Sequence, residues 1–148
     1  MTRDMDDSAV REFRKSDDTL RVYKGRRLLF TSKKERLLPL LEYIETRPPY
    51  EKDVTVLDRV VGNAAALLVT KISCVEVYGE LGSELATQTL RQFGISHRFA
   101  DTVPYIENNR RDGMCPMEQL SIGKAPDEFY RALREWLRGS GGPERRGR

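Results

Sequence analysis

Cys115 and Glu118 stand three residues apart in the stretch Asp112-Gly113-Met114-Cys115-Pro116-Met117-Glu118, a spacing that can support chemistry. Asp-Gly is a turn dipeptide, because glycine takes positive φ at no steric cost. Proline suits the first helical position, where its missing N–H would lack a partner in any case. The stretch therefore predicts a tight turn opening a helix, with Cys115 as N-cap and Glu118 as the third helical residue. The positive end of a helix macrodipole favours thiolate, the nucleophilic form of cysteine. Cys115 is thus a candidate nucleophile or redox thiol, with Glu118 or Asp58 as the acid–base partner. The same residues also fit a plain capping role, in which Glu118 closes a capping box back to residue 115.

A second group of residues could hold an anion. Asp58-Arg59-Val60-Val61-Gly62-Asn63 and the stretch 79–83 both run into apolar helical patterns. Helix starts bearing Gly62, Asn63 and Ser83 would offer free N–H groups to an anion. Arg59 and Arg110 could pair with phosphate or carboxylate. Tyr105, in Val103-Pro104-Tyr105-Ile106, completes the candidate ligand set. Asp58 reads equally well as the N-cap of the helix that follows it. The single histidine, His97, sits in a strand pattern and reads as a packed or rim residue.

Periodicity gives the elements that must position these groups. Residues 8–15 predict a short helix with Ala9, Val10 and Phe13 on one side. Residues 20–24 and 27–31 predict a hairpin turning at Gly25-Arg26. A helix over 39–46 follows, then a buried strand over 53–57 and a helix over 58–71, apolar nearly all round. A strand over 74–78, a turn over 79–83 and an amphipathic helix over 84–93 come next, ended by Gly94. A fifth strand over 95–100 puts Ile95, His97 and Phe99 on one face. Pro126 opens a last helix with Phe129, Ala132, Leu133, Trp136 and Leu137 on one side, a stripe that could cover the sheet or join a homo-oligomer. This order predicts an α/β fold, a three-layer α/β/α sandwich with a mixed five-stranded sheet. Ligands in such sheets bind beyond the carboxyl ends of the strands. The expected organisation is an arm and short helix over 1–18, an α/β domain over 19–123, an amphipathic helix over 124–138 and a flexible basic tail over 139–148.

Composition narrows the partners. The chain has 148 residues, 39% hydrophobic and 33% charged, with a formal charge of +3. Its tail 139–148 carries three arginines and one glutamate, so the body stands near +1. A nearly neutral body argues against a nucleic-acid partner. No apolar run approaches the roughly 18 residues of a membrane span, and the acidic start lacks the apolar core of a signal peptide. Two cysteines, Cys74 and Cys115, make no disulfide framework, so a cytoplasmic setting is expected.

Several phrases together carry a family resemblance: Asp58-Arg59-Val60-Val61-Gly62 with Ala64-Ala65-Ala66, Glu76-Val77-Tyr78, Ser83-Glu84-Leu85-Ala86, Val103-Pro104-Tyr105-Ile106, and Gly113-Met114-Cys115-Pro116-Met117-Glu118. They resemble a small prokaryotic domain-of-unknown-function family of the cytidine-deaminase-like superfamily. The resemblance covers about 20–120 and leaves out the first and last helices. It implies a deaminase-like fold and brings no established reaction. Asn63 stands where relatives usually carry lysine, which removes a cation from that position. A zinc deaminase needs a His or Cys ligand with a Glu two residues on at one helix start, and Pro-Cys-x-x-Cys at the next. Neither 58–62 nor 79–83 holds a His or Cys, and Cys74, His97 and Cys115 lie in separate elements. No metal and no cofactor is expected. The reading is a deaminase-like-fold protein without zinc ligands, binding a small anionic or nucleotide-related ligand, with thiol catalysis as one version. A non-catalytic ligand-binding or sensor module and a structural oligomerisation domain are the alternatives.

Overall fold

Five stretches of the chain pair into one sheet. A computed structural model of the chain describes residues 7–139. In order they are α1 (Asp7–Lys15), β1 (Leu20–Lys24), β2 (Arg27–Ser32), α2 (Leu38–Thr46), β3 (Val54–Val61), α3 (Asn63–Val69), β4 (Cys74–Ser83), α4 (Glu84–Gln92), β5 (Ser96–Val103), α5 (Pro116–Ser121) and α6 (Pro126–Gly139). A 3₁₀ turn, Thr70–Ile72, extends α3. Residues 1–6 of the expected arm and short helix over 1–18, and residues 140–148 of the expected tail, lie outside the described residues.

The sheet order is β2-β1-β3-β4-β5. The hairpin strands β1 and β2 are antiparallel, and β1 also runs antiparallel to β3. β3, β4 and β5 are parallel, as short helical crossovers require. The sheet is mixed and five-stranded, as the sequence predicts.

Strand alternation sorts the core into two clusters. Val10 and Phe13 of α1 pack with Tyr23, Leu57 and Tyr78. The larger cluster gathers Val22, Val54, Val56 and Val77 with residues of α2, α3, α4 and α6. All of Asn63–Val69 is buried, which explains the small residues Ala64-Ala65-Ala66 in a helix crowded by its neighbours. Phe129 and Leu133 of α6 are also fully buried there, each burial being worth about 1.5–3 kcal/mol. The α6 stripe thus closes the chain's own core. Among the described residues no helix is long and apolar enough to cross a membrane.

Three expected boundaries fail for instructive reasons. Asp58 is no helix cap: β3 continues through it to Val61, and α3 opens only at Asn63. Branched Val60 and Val61 extend the pairing, opposite Leu81 and Gly82. The expected turn over 79–83 is likewise strand, because β4 runs to Ser83. Its glycines serve close packing. A Cβ on Gly82 would stand 2.1 Å from the Phe99 ring, and one on Gly79 would stand 2.8 Å from Val61 Cγ2. β5 also runs three residues beyond its expected end, to Val103.

Candidate functional site

The start of α3 is built without a local cap. Gly62 is its extended N-cap residue and has no side chain to accept a helix N–H. The Asn63 N–H is taken instead by Glu118 Oε1 at 2.6 Å. Glu118 Oε2 accepts the Ile106 N–H at 2.9 Å, so one buried carboxylate ties α3, the 104–115 loop and α5 together. Only glycine fits at position 62, since a Cβ there would lie 2.7 Å from Glu118 Oε1 and 2.9 Å from Ile106 Cγ1. The expected capping box from Glu118 to residue 115 does not form. The Cys115 N–H donates to the Ile106 carbonyl at 2.8 Å, and the Cys115 side chain caps nothing.

Asn63 finishes this knot. Its Nδ2 donates to Ser121 Oγ at 2.9 Å, and its Oδ1 accepts from the Thr89 hydroxyl. Ser121 Oγ in turn donates to the Glu118 carbonyl at 2.7 Å. Asn63, Glu118 and Ser121 are all buried, so each polar atom must find an acceptor or donor within the protein. Three helices are locked by these bonds.

Asp58 and Arg59 serve different faces of the sheet. The Asp58 carboxyl is buried, which pushes its pKa up to about 7, against the pull of the Arg59 and Val60 N–H groups and the Arg59 charge. It lies in a row that crosses all five strands: Ser32, Leu20, Asp58, Gly79, Phe99. Arg59 turns to α1. Its guanidinium donates to the carbonyls of Phe13 at 2.8 Å, Ser16 at 2.7 Å and Asp18 at 2.9 Å, and pairs with Glu80 at 2.6 Å. It also lies 4.2 Å from the centre of the Phe13 ring. Ordinary α-helices leave their last carbonyls unpaired, and here one arginine closes the end of α1.

The other predicted residues scatter. Ser83 is the N-cap of α4, its hydroxyl accepting the Ala86 N–H at 3.0 Å. Cys115 and Tyr105 are half-buried, and Arg110 is exposed in a loop closed by the Glu107–Met114 bridge. Cys74 is buried on β4, where burial pushes its thiol up to about 12. Among the described residues no three His, Cys, Asp or Glu side chains gather closely enough to hold a metal ion.

A groove of about 460 Å³ opens between α4 and β5. His97 and Phe99 form its floor, their rings 4.9 Å apart and tilted by 41°. The glycines of β4 let the Phe99 ring lie down against the sheet. Thr87, Gln88 and Arg91 of α4 line one wall, with Glu84 and Thr102 at the ends. Thr87 Oγ1 lies 3.4 Å from His97 Nε2. Burial, helped by the nearby Arg91 charge, holds the His97 pKa below its usual value. The groove thus offers an imidazole, an amide, two hydroxyls, one guanidinium and the Glu84 carboxylate around an aromatic floor. Local reading of the sequence missed it. The available signal was the spacing of Glu84, Thr87, Gln88 and Arg91 along one side of α4, facing the His97/Phe99 side of β5.

No curated protein matches the chain. The crystal structure of a DUF1893 family protein, TM1506 from Thermotoga maritima, is similar to it: 28% identical, with a TM-score of 0.79 over 87% of each chain. The TM1506 family, described as a domain of unknown function (DUF1893), matches residues 8–137. That match takes in nearly all of α1 and of α6, beyond the limits near residues 20 and 120 that the sequence phrases suggest. The chain therefore belongs to the DUF1893 family.

Proposed function

We propose that this chain has a deaminase-like three-layer α/β/α fold without zinc ligands, and that it binds a small anionic, nucleotide-related ligand in the groove between α4 and β5. The observation that carries the reading is the groove's lining. A flat ring finds His97 and Phe99 as a stacking floor, the Gln88 amide is suited to hydrogen bonding at a base edge, and the Arg91 guanidinium is suited to phosphate or carboxylate. Its volume falls in the usual range for small-molecule sites.

The start of α3 is the weaker candidate. Its first N–H already holds the Glu118 carboxylate, so the chain supplies its own anion there. Arg59, Ser83 and Asn63 are likewise committed to internal bonds. The catalytic version, with Cys115 as nucleophile and Asp58 and Glu118 as acid and base, is less well supported. Both Glu118 oxygens are held by backbone N–H groups, and Asp58 accepts from its own strand. A non-catalytic binding module fits these bonds better.

Thermal-shift and calorimetric titration with nucleosides, nucleotides and inorganic phosphate test the reading. Nucleotides should raise the melting temperature by several degrees, and Arg91→Ala should remove the part that depends on phosphate. No response from any of these compounds would sink it. Rapid alkylation of Cys115 near neutral pH, slowed by the same nucleotides, would instead favour thiol chemistry.

A further inference from the structure

We infer that Glu84 makes the α4–β5 groove selective for guanine: its carboxylate accepts the N1–H and 2-amino N–H of the base, while Arg91 takes the 5′-phosphate of the same mononucleotide. The inference rests on the reading of this groove as a nucleotide site, and adds which base it takes.

Helical spacing sets the frame. Glu84, Gln88 and Arg91 follow one another at intervals of four and three residues along α4, so their side chains share one side of the helix. Glu84 and Arg91 therefore stand roughly 10 Å apart along the axis, the reach of a purine mononucleotide from its pairing edge to its 5′-phosphate. β5 gives the direction. It is parallel to β4, so α4, the crossover between them, runs back the other way. His97 lies at the Arg91 end, with Nε2 3.4 Å from Thr87 Oγ1 and the Arg91 charge acting on its ring. Phe99 comes two residues later on β5, which is toward Glu84. A base stacked on Phe99 turns its pairing edge to Glu84, and its ribose and phosphate pass over His97 to Arg91.

The groups this arrangement uses are uncommitted. Among the described residues the side chains of Glu84, Gln88 and Arg91 form no hydrogen bond and no ion pair. Ser83 caps α4, so the helix does not need the Glu84 carboxylate for that purpose. A carboxylate only accepts hydrogen bonds. Guanine presents two adjacent N–H donors on its pairing edge, one for each oxygen. Adenine presents a ring nitrogen in place of the N1–H, which sets lone pair against lone pair. Hypoxanthine keeps the N1–H and lacks the 2-amino group. The Gln88 amide can turn to donate to the 6-oxo group of guanine or to accept from the 6-amino group of adenine, so it does not choose between them. The choice falls to Glu84.

Isothermal titration calorimetry of the full chain with GMP, IMP and AMP tests this. GMP should bind about tenfold or more tighter than AMP, with IMP between them. Glu84→Gln should reverse the order of GMP and AMP, because an amide donates to the adenine ring nitrogen and accepts from its 6-amino group. Glu84 is exposed, so the variant should keep the circular dichroism and melting of the parent. AMP bound as tightly as GMP would overturn the inference and leave the groove a nucleotide site. So would a Glu84→Gln chain with an unchanged preference, or one that binds both nucleotides more tightly by the same factor, since the carboxylate would then act only as a repelling charge. No heat from any of the three nucleotides would overturn the nucleotide reading itself, and this inference with it.

Discussion

The Glu118 carboxylate accepts the Asn63 backbone N–H at 2.6 Å, so a side chain of α5 closes the start of α3 across 55 residues of chain. This bond replaces the side-chain cap that Gly62 cannot give, and it keeps a protein anion where the helix start would otherwise attract a ligand. The consequence is structural first. Removing the carboxylate orphans two N–H groups, those of Asn63 and Ile106. An unsatisfied buried donor costs about 1–3 kcal/mol. Glu118→Ala should therefore lower stability by about 2–5 kcal/mol in urea titration. Glu118→Gln should lose less, because one carbonyl oxygen remains. Equal, small losses in both would mean that the knot contributes little.

Asp58 makes stability depend on pH. Burial raises its folded pKa to about 7, from an ordinary value of 3.8. Between those values the folded state holds a proton that the unfolded chain has lost. The contribution is fully present below about pH 4 and is lost as pH rises through 7, so this carboxyl makes the fold less stable at pH 8 than at pH 5. Asp58→Asn removes the titration. It should stabilise the protein at pH 8 by on the order of 2 kcal/mol and change little near pH 4. Chemical denaturation of both proteins from pH 4 to 8 reads the difference, and parallel curves would refute it.

Arg59 should behave as the fastener of α1. Its guanidinium reaches the Phe13 carbonyl in the last turn of that helix, the Ser16 and Asp18 carbonyls just after it and one carboxylate on β4 at once. A lysine ammonium lacks the planar fork to do this. Arg59→Lys should cost about 1–3 kcal/mol and should speed amide hydrogen exchange in Val10 and Phe13 far more than in α3. Uniform exchange throughout the chain would show that α1 and the rest of the fold open together.

Local pattern made much of the fold legible, because hairpin, crossover helices and strands each depend on neighbours within a few residues. Its errors arise where a residue's partner is distant. Asp58 carries the signature of a helix cap, yet cross-strand pairing with Leu20 and Gly79 holds it in β3. Gly79 and Gly82 carry the signature of a turn, yet they admit a ring from β5. Glu118 matches a capping box, but the N–H groups it serves lie 12 and 55 residues away. Arg59 looked free to meet a phosphate, while its acceptors lie 41 to 46 residues upstream. Spacing drew attention to Asn63, Cys115 and Glu118 around α3 and α5, and packing decided which bonds they make.

Gly82 is the sharpest test of the groove. A Cβ there would stand 2.1 to 2.3 Å from three atoms of the Phe99 ring, far inside contact distance. The backbone of β4 cannot give way, since Gly82 is paired with Val61 on one side and Thr102 on the other. The half-buried ring must therefore lift off the sheet, taking its contact with His97 with it. Gly82→Ala should cost about 1–3 kcal/mol in stability, the usual penalty of overpacking. It should also weaken the proposed nucleotide binding by about tenfold or more, as the floor of the groove is lost. Gly113→Ala is the matched control, because its Cβ would meet only Asn108 Nδ2 at an ordinary 3.6 Å. The His97 ring resonances, followed by NMR in both variants, separate the cases: they should shift in Gly82→Ala and stay in place in Gly113→Ala. Unchanged His97 resonances in Gly82→Ala would mean that Phe99 does not hold the groove in shape.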